Sequence, residues 1–432
     1  YTMQADHQRP ANMLMVIGKY DEYRRRMTGV RDIRKEWMSS EQTRKVIPVA
    51  NPEIGTTYGD FSAGTARRVF VPNVTHVQES HNRAAIAEAV RWMQQALKPP
   101  ETDAPDALQQ IWPIKEGATL VAMLAGIFSI LPLGALLLRI KWFTSLKGTA
   151  SPVYACDGRA YLTHAAVNGI LLWLYLPLIF VLFGIHVYLV PIDKAFPMMM
   201  VNAVVWWFLC INMIGFFIFR RWFKRQNRQR GLTLADMGIS FKEEVFHLDG
   251  RQLAKTAVAA VLLFLFAYLA EHLLERIFIV DFRCIFPFAS DLTPFRVRMW
   301  FLYFPFLLLG FLQTGVFLHG QIRRPPKPSR LGTFFSWSFY NLAAMLVPLF
   351  LFLCLQYIPL FTTGFIPLVG PGGMFVSFVL NLFHLIAVLC MVIPISTWFF
   401  QLTGKIYLGA ILNAALVAWM FTSSQVIAPI PV

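Results

Sequence analysis

Cysteine is scarce in this sequence, and none lies in the first 117 residues. The five cysteines are Cys156, Cys210, Cys284, Cys354 and Cys390. No two of them have C-x-x-C spacing, and the apolar runs that contain Cys210, Cys354 and Cys390 are where a small buried thiol is common. The sequence therefore predicts neither a disulfide framework nor a cysteine-bound metal site, and no other motif indicates a cofactor or a metal.

Charge is also scarce, at 15% of the residues, and acidic residues are rarest in the second part of the chain. Residues 1–117 hold 16 basic and 14 acidic residues, whereas residues 118–432 hold 23 and 10, so the second part carries almost all of the net charge of +15. A basic excess between apolar runs is typical of positive-inside membrane loops, and it does not indicate a nucleic-acid partner.

Long apolar runs fill the chain from Ala118 onward. Hydrophobic residues make up 56% of the sequence, above the roughly 45–50% of soluble globular proteins. A membrane-spanning helix needs about 20 largely apolar residues. We therefore predict an all-α membrane bundle of about eight transmembrane helices. The predicted spans are 118–138, 165–190, 198–219, 255–278, 299–319, 334–358, 374–400 and 406–427.

The loops between these spans alternate in charge. The loops after the first, third and fifth spans are rich in Lys and Arg, whereas the loops between them are balanced or uncharged. The positive-inside rule places basic loops in the cytoplasm. We therefore expect a multi-pass protein of the plasma membrane, with residues 1–117 and the C-terminal tail outside the cytoplasm.

Residues 1–98 have the pattern of an α/β domain. The apolar run Met13–Ile17 predicts a buried parallel strand, and "TARRVFVP" predicts a second one. An amphipathic pattern predicts a helix over roughly 31–45, and "RAAIAEAVRWMQQALK" predicts another after the second strand. This strand–helix–strand–helix order is that of a parallel sheet with flanking helices. Residues 99–117 are predicted to be a polar linker to the membrane domain, 118–432.

Two candidate catalytic groups follow the two predicted strands. Asp21 comes three residues after Gly18, and His76 lies in "NVTHVQESHN", just before the last helix. Reactive groups of open α/β sheets gather at the carboxyl ends of the strands. A histidine base also needs a carboxylate that fixes its tautomer. Glu22 is the nearest competitor of Asp21, and His81 is a possible supporting residue at the start of the helix.

Residues 10–98 resemble the C-terminal third of an α/β-hydrolase. The resemblance is carried by "MLMVIGKYDEY" and "TYGDFSAGTARRVFVPNVTHVQESHNRAAIAEAVRWM", and it is to the branch with dienelactone-hydrolase-like and acyl-peptidase-like enzymes. In that family the triad runs Ser, Asp, His along the chain. The resemblance implies that Asp21 is the acid and His76 the catalytic histidine.

A serine nucleophile is missing from this pattern. The family carries it in G-x-S-x-G upstream of the acid, and the sequence contains no such motif. Ser62 in "GDFSAG" has the wrong spacing and follows Asp21, so it is a poor substitute. The first residue is Tyr1, and we expect that the natural beginning, with the nucleophile, precedes it. A degenerate, non-catalytic fold is the alternative.

Two functions therefore remain open from the sequence. The first is a membrane-anchored serine hydrolase that cleaves an ester, thioester or amide through a Ser-Asp-His triad. The second is a membrane carrier or sensor whose hydrolase-like extracytoplasmic domain only binds. The expected partners are the lipid bilayer and a small-molecule, acyl or peptide substrate.

Overall fold

The computed structural model describes residues 5–24, 29–97, 104–190, 195–280, 282–284, 288–370 and 373–427. The chain divides into two compact units. Unit 1 contains Tyr1–Lys115 and Leu353–Val379, and unit 2 contains Glu116–Phe352 and Leu380–Val432. Unit 1 is therefore discontinuous in sequence. The predicted linker falls partly on residues 99–103, which lie outside the described residues.

Unit 1 begins with short elements. They are β1 (Met13–Val16), a π-helical turn (Ile33–Trp37), α1 (Glu41–Val46), β2 (Arg67–Phe70), a 3-10 turn (His76–His81) and α2 (Arg83–Leu97). β1 and β2 pair in parallel, with Met13 opposite Arg67 and Val16 opposite Phe70. Their inward side chains pack with the π-helical turn and with Ile47 in one apolar core. Burial of each large apolar side chain there contributes roughly 1.5–3 kcal/mol.

The predicted α/β-hydrolase fold class is wrong. Among the described residues there are two sheets of two strands each, and the structure is 65% helical. Residues 13–16 and 67–70 do form parallel strands, as their apolar pattern predicts, but no further strand pairs with either of them in the described part of the chain. Two four-residue strands make a ribbon and not a covered parallel sheet, so the structure gives no support for an α/β-hydrolase domain.

The helix predicted over roughly 31–45 is split in two. Asp32 caps the π-helical turn by accepting from the backbone N–H groups of Arg34 and Lys35. Ser40 then caps α1, because its hydroxyl accepts from the N–H of Thr43. A second N-cap inside the apolar pattern restarts the helix, since serine satisfies backbone donors better at a cap than in a helix interior.

The remaining helices are mostly long and apolar. They are α3 (Trp112–Phe128), α4 (Ile130–Leu137), α5 (Gly158–Trp173), α6 (Tyr175–Tyr188), α7 (Met199–Arg230), α8 (Gly250–Phe278), α9 (Pro294–Gly315), α10 (Arg330–Thr363), α11 (Met374–Thr403) and α12 (Tyr407–Ser424). A π-helical turn, Val316–Gln321, extends α9, and strands β3 (Phe282–Arg283) and β4 (Phe288–Ala289) form an antiparallel pair.

The protein is a multi-pass membrane protein. Seven stretches of the described chain are long and apolar enough to cross a membrane, counting α3 with α4 as one stretch and α9 with its π-helical turn as another. The pair α5 and α6, bent by 40°, makes up to eight spans if it crosses as one. Each of the eight predicted spans overlaps one of these stretches, although several helices are longer than predicted.

Within unit 2, α12 is a central helix. Leu412, Ala414, Ala415 and Val417 point in different directions around it, and each is buried. A helix that is buried all round must be enclosed by other helices. A buried hydrogen bond from the Tyr303 hydroxyl to the Asn202 side-chain oxygen, 2.7 Å long, links α9 to α7.

Candidate functional site

The two segments that follow β1 and β2 remain paired beyond the strands. The N–H of Tyr20 donates to the carbonyl of Val74 at 3.0 Å. Asp21 follows Tyr20 directly, and His76 lies two residues after Val74. The extended pairing therefore places a buried carboxylate against a histidine 55 residues away in sequence.

Gly18 allows these segments to approach closely. A Cβ atom at Gly18 would lie 2.3 Å from the carbonyl oxygen of Val74. The Gly18 N–H also donates to Oε1 of Glu79 at 2.5 Å, which ties the 3-10 turn to the end of β1. A side chain at position 18 would disturb both contacts.

Asp21 and His76 form the central pair of the site. Oδ2 of Asp21 lies 3.0 Å from Nδ1 of His76, and Asp21 is fully buried. The other carboxylate oxygen accepts from the Tyr23 N–H at 2.6 Å. Because Nδ1 faces a carboxylate, the neutral imidazole carries its proton there and leaves the lone pair on Nε2. This hydrogen bond with Asp21 raises the pKa of His76, against the effect of burial.

The open face of His76 is at Nε2. The side chain is 37% exposed, and no described residue hydrogen-bonds Nε2. The Tyr23 ring packs edge-on against the imidazole, with centroids 4.8 Å apart, and the Tyr23 hydroxyl lies 2.7 Å from the Ser377 hydroxyl in α11. Asp21 and Tyr23 therefore hold the imidazole ring of His76 from two sides, while its Nε2 remains accessible.

Glu22 supports the backbone of His76 and not its ring. Oε2 of Glu22 accepts from the His76 N–H at 2.9 Å, and Oε1 accepts from the Tyr357 hydroxyl at 2.7 Å. Glu22 is only 3% exposed, and this burial raises its pKa even though both hydrogen bonds act to lower it. Tyr357 belongs to α10, so residues 353–379 contribute directly to this part of unit 1.

Glu79 is a third acidic group at the site. Its Oε2 lies 3.7 Å from Nδ1 of His76. Burial raises the pKa of Glu79 to about 7, and the neighbouring Asp21 carboxylate adds to the rise. Because Glu79 and His76 lie this close together, the protonation of one group affects that of the other.

His81 does not join this group. Its Nδ1 lies 2.9 Å from the Ser80 hydroxyl, and its ring packs edge-on against Trp112. The start of α2 is capped by the side chain of Asn82, which accepts from the Ala85 N–H at 3.0 Å. These contacts of His81, to Ser80 and Trp112, do not support the predicted role beside His76.

Two residues of the site, Glu79 and Tyr357, were not predicted from the sequence. Glu79 follows His76 by one turn of a 3-10 helix, and this three-residue spacing was a usable signal. Tyr357 lies 335 residues from Glu22, and nothing in an apolar run marks one tyrosine as a hydrogen-bond donor to a distant carboxylate.

No described residue supplies a nucleophile to His76. The Ser62 hydroxyl donates to the carboxylate of Asp60 in an exposed turn, so it is engaged away from the pair. The site thus contains an acid and a base whose open nitrogen is available to a further group.

The same side chains also have the composition of a cation site. One ligand atom from each of Asp21, His76 and Glu79 lies within 4.8 Å of the others. The hydrogen bonds from Tyr23 N–H and Gly18 N–H already occupy one oxygen of each carboxylate. The Asp21–His76 hydrogen bond places a proton on Nδ1, and a metal at this nitrogen would have to displace that proton. The geometry therefore favours proton transfer over metal binding.

Comparisons of the chain with models of protein families, with curated proteins and with solved structures found no match. No activity can therefore be carried over from a relative. The functional conclusion depends on the geometry of Asp21, His76 and the residues around them.

Proposed function

We propose that this membrane protein is a hydrolase in which Asp21 and His76 are the acid–base pair. The observation that carries the proposal is the 3.0 Å contact between a fully buried carboxylate and Nδ1 of a histidine whose Nε2 is accessible. A buried carboxylate on one imidazole nitrogen and an open second nitrogen are what nucleophilic hydrolysis requires of its base.

The reaction follows from these roles. Nε2 of His76 takes the proton of a serine hydroxyl as that oxygen attacks the carbonyl carbon of an ester, thioester or amide. Asp21 stabilises the resulting imidazolium, which then gives its proton to the leaving group as the bond to that group breaks. Water repeats the sequence on the acyl-enzyme and releases the acid. No described residue hydrogen-bonds Nε2, so the proposal names the base and its carboxylate but not the serine.

The site is proposed to face away from the cytoplasm at the plasma membrane. The support is the alternation of loop charge, which assigns the basic loops to the cytoplasmic side. Residues of α10 and α11 hold Glu22 and Tyr23, so the acid–base pair is built partly on two membrane-length helices. A substrate with an acyl chain, presented at the membrane surface, suits this construction.

The test is hydrolysis of a short-chain p-nitrophenyl ester by the complete protein purified from its own gene. His76→Ala and Asp21→Asn are each expected to lower kcat by about 10⁴-fold or more, since the base and its orienting carboxylate act as one unit. Glu22→Gln is expected to cost far less, because Glu22 holds the backbone. The exposed His7 supplies a matched control, His7→Ala, which should retain wild-type kcat.

Two outcomes would overturn this proposal. Unchanged turnover in His76→Ala would favour the carrier or sensor function, with binding as the role of unit 1. Loss of turnover on treatment with EDTA, restored by a divalent cation, would instead make Asp21, His76 and Glu79 metal ligands. Turnover that resists EDTA and disappears in both variants supports the acid–base pair.

A further inference from the structure

A large cavity in unit 2 is lined by basic side chains. Its volume is about 830 Å³, and residues of α4, α10 and α11 line it together with the segments 147–155 and 323–326. No Asp or Glu is among the lining residues. We call it the basic cavity, and its cationic residues are Arg139, Lys147, Arg323, Arg324 and Arg330.

Arg323 is the buried cation of this cavity. It is 3% exposed, and its Nη2 donates to the carbonyls of Ser151 and Tyr154 at 3.0 and 2.9 Å. The guanidinium lies over the Phe400 ring, 5.6 Å from its centroid. Nη1 is also buried, yet it has no hydrogen-bond partner among the described residues. The side chain is thus held in place with one strong donor unused.

The charge of Arg323 is poorly compensated. Burial lowers the pKa of Arg323 to about 10, with Asp236 acting in the opposite direction, so the guanidinium stays charged at neutral pH. Carbonyl oxygens satisfy its donors without neutralising it. Among the described residues no carboxylate forms a direct ion pair with Arg323, so a bound anion would lower the cost of burying this charge.

Arg324 and the N-terminus of α10, which also line the basic cavity, favour an anion as Arg323 does. Arg324 donates to the carbonyl of Cys156 at 2.6 Å and lies over the Tyr340 ring, and its buried Nε has no partner among the described residues. α10 begins at Arg330, and both Arg330 and Thr333 of its first turn line the cavity. The N-terminus of a long helix carries a partial positive charge that favours anions.

An ordinary positive-inside loop does not account for this arrangement. The basic residues at the end of α7, such as Arg225 and Arg228, are exposed and solvated, as that rule requires. Arg323 is instead buried and fixed by two carbonyls, and it lines a cavity together with four further cations. A planar guanidinium with a free N–H is well suited to the oxygens of a phosphate group.

We propose that the basic cavity binds a phosphate group, carried by the headgroup of an anionic lipid or free in solution. Arg323 contributes the buried donor, and the exposed Arg139, Lys147 and Arg330 contribute the surrounding charge. Apolar side chains that also line the cavity, including Leu138, Trp337 and Leu402, suit the adjoining part of an amphiphile. This site is separate from Asp21 and His76 and does not depend on the proposed hydrolysis.

The experiment measures binding of two probes to the complete protein in a non-ionic detergent. The probes are dioctanoyl phosphatidic acid and inorganic phosphate, with dioctanoylglycerol as the lipid without phosphate. Saturable binding of a phosphate probe is expected, and Arg323→Gln should weaken it by about tenfold or more, since a charge-assisted hydrogen bond is lost. Arg228→Gln removes an equal charge outside the cavity and should leave the Kd within about twofold of wild type.

The two probes distinguish the sources of the phosphate. Binding of phosphatidic acid alone, sensitive to Arg323, identifies a lipid headgroup. Binding of inorganic phosphate with the same sensitivity, or its competition with the lipid, identifies a free phosphate. Absence of saturable binding by either probe, equal binding of dioctanoylglycerol, or equal losses in Arg323→Gln and Arg228→Gln would overturn the proposal.

If Arg323→Gln fails to fold, two variants of exposed cavity residues test the proposal instead. Arg330→Gln and Lys147→Gln change side chains on the surface and are expected to fold. Each should weaken binding by about threefold or more, because each removes one of the surrounding charges. An unchanged Kd in both variants would contradict a phosphate site in this cavity.

Discussion

Two adjacent carboxylates serve the same histidine in different ways. Asp21 contacts the imidazole of His76, whereas Glu22 accepts from its backbone N–H and from the Tyr357 hydroxyl. The chain direction reverses at the turn Gly18–Asp21, so side chains that are neighbours in sequence reach opposite parts of one residue. Orientation of the ring and position of the main chain are thus controlled separately.

Protonation at the site should control the stability of the fold. The pKa of Glu79 is raised to about 7, so the folded chain holds a proton that the unfolded chain releases near its ordinary value of 4.5. The pKa of His76 is also raised, so its stabilising charge is lost as the pH rises through that value. Both groups bind protons more tightly in the folded state, so Glu79 reduces stability as the pH rises from 4.5 to about 7, and His76 does so as the pH rises above 6.5.

The variant Glu79→Gln should therefore lose less stability between about pH 5 and pH 8 than the wild type does, by on the order of 2 kcal/mol. Glutamine keeps an oxygen that accepts from the Gly18 N–H but cannot release a proton. Thermal unfolding midpoints at both pH values measure the difference. The exposed Glu41 gives a control, Glu41→Gln, with the wild-type pH dependence. A Glu79→Gln variant that matches the wild type would show that Glu79 titrates normally.

At the residue scale, the signal in the sequence was the position of Asp21 and His76 after two strand-like runs. Asp21 and His76 each follow a strand-like run, and the order of these runs was enough to predict that the two side chains meet. Whether they catalyse remains a prediction. Tyr357 could not be found in this way, because its partner lies 335 residues away and the contact depends on tertiary packing.

At the scale of elements, the pairing of β1 with β2 carries the site. Strand patterns predicted both strands, since apolar β-branched runs with flanking glycine are strong signals. The prediction of one helix over roughly 31–45 was less accurate, because the Ser40 side chain accepts from a backbone N–H and starts a second helix. Short polar residues that act as caps are visible in a sequence, but whether they cap or continue a helix depends on the core that Trp37 and Ile47 fill.

The variant Gly18→Ala should disrupt this pairing. Its new methyl group would lie 2.3 Å from the Val74 carbonyl, which accepts from the Tyr20 N–H, so the two segments must separate. We expect a loss of about 2 kcal/mol or more in stability, in the range of overpacking in a filled core. Unfolding midpoints measured beside Gly117→Ala, whose Cβ meets no atom within 4 Å, isolate the steric cause. Equal midpoints for the two variants would mean that the backbone of residues 72–74 moves away from the new methyl group without a loss of stability.

At the scale of the whole molecule, the positions of the membrane-length apolar helices were predictable from the sequence, and the number of strands in the sheet was not. Runs of about 20 apolar residues are long-range features of composition, and the spans follow from them directly. The α/β-hydrolase fold class was wrong because two strand patterns and an Asp–His order do not determine how many strands pair. That number depends on contacts between distant segments, which no local pattern records.

The orientation of the chain in the membrane remains a prediction that labelling can test. In a background with all five cysteines replaced by serine, Ser62→Cys and Gln229→Cys place single thiols on exposed residues. The basic segment around Gln229 is expected in the cytoplasm. An impermeant maleimide should label Ser62→Cys on intact cells, and Gln229→Cys only after permeabilisation. The opposite pattern would place residues 1–117 in the cytoplasm.

The discontinuity of unit 1 limits how this protein can be recombined. A gene fragment that encoded residues 1–115 would transfer Asp21, Glu22 and His76 to a new host protein. It would leave behind the hydroxyl of Tyr357, and the Glu22 carboxylate, which is 3% exposed, would lose one of its two donors. The N-terminal segment and residues 353–379 therefore have to be transferred together if the hydrogen bond between Glu22 and Tyr357 is to be kept.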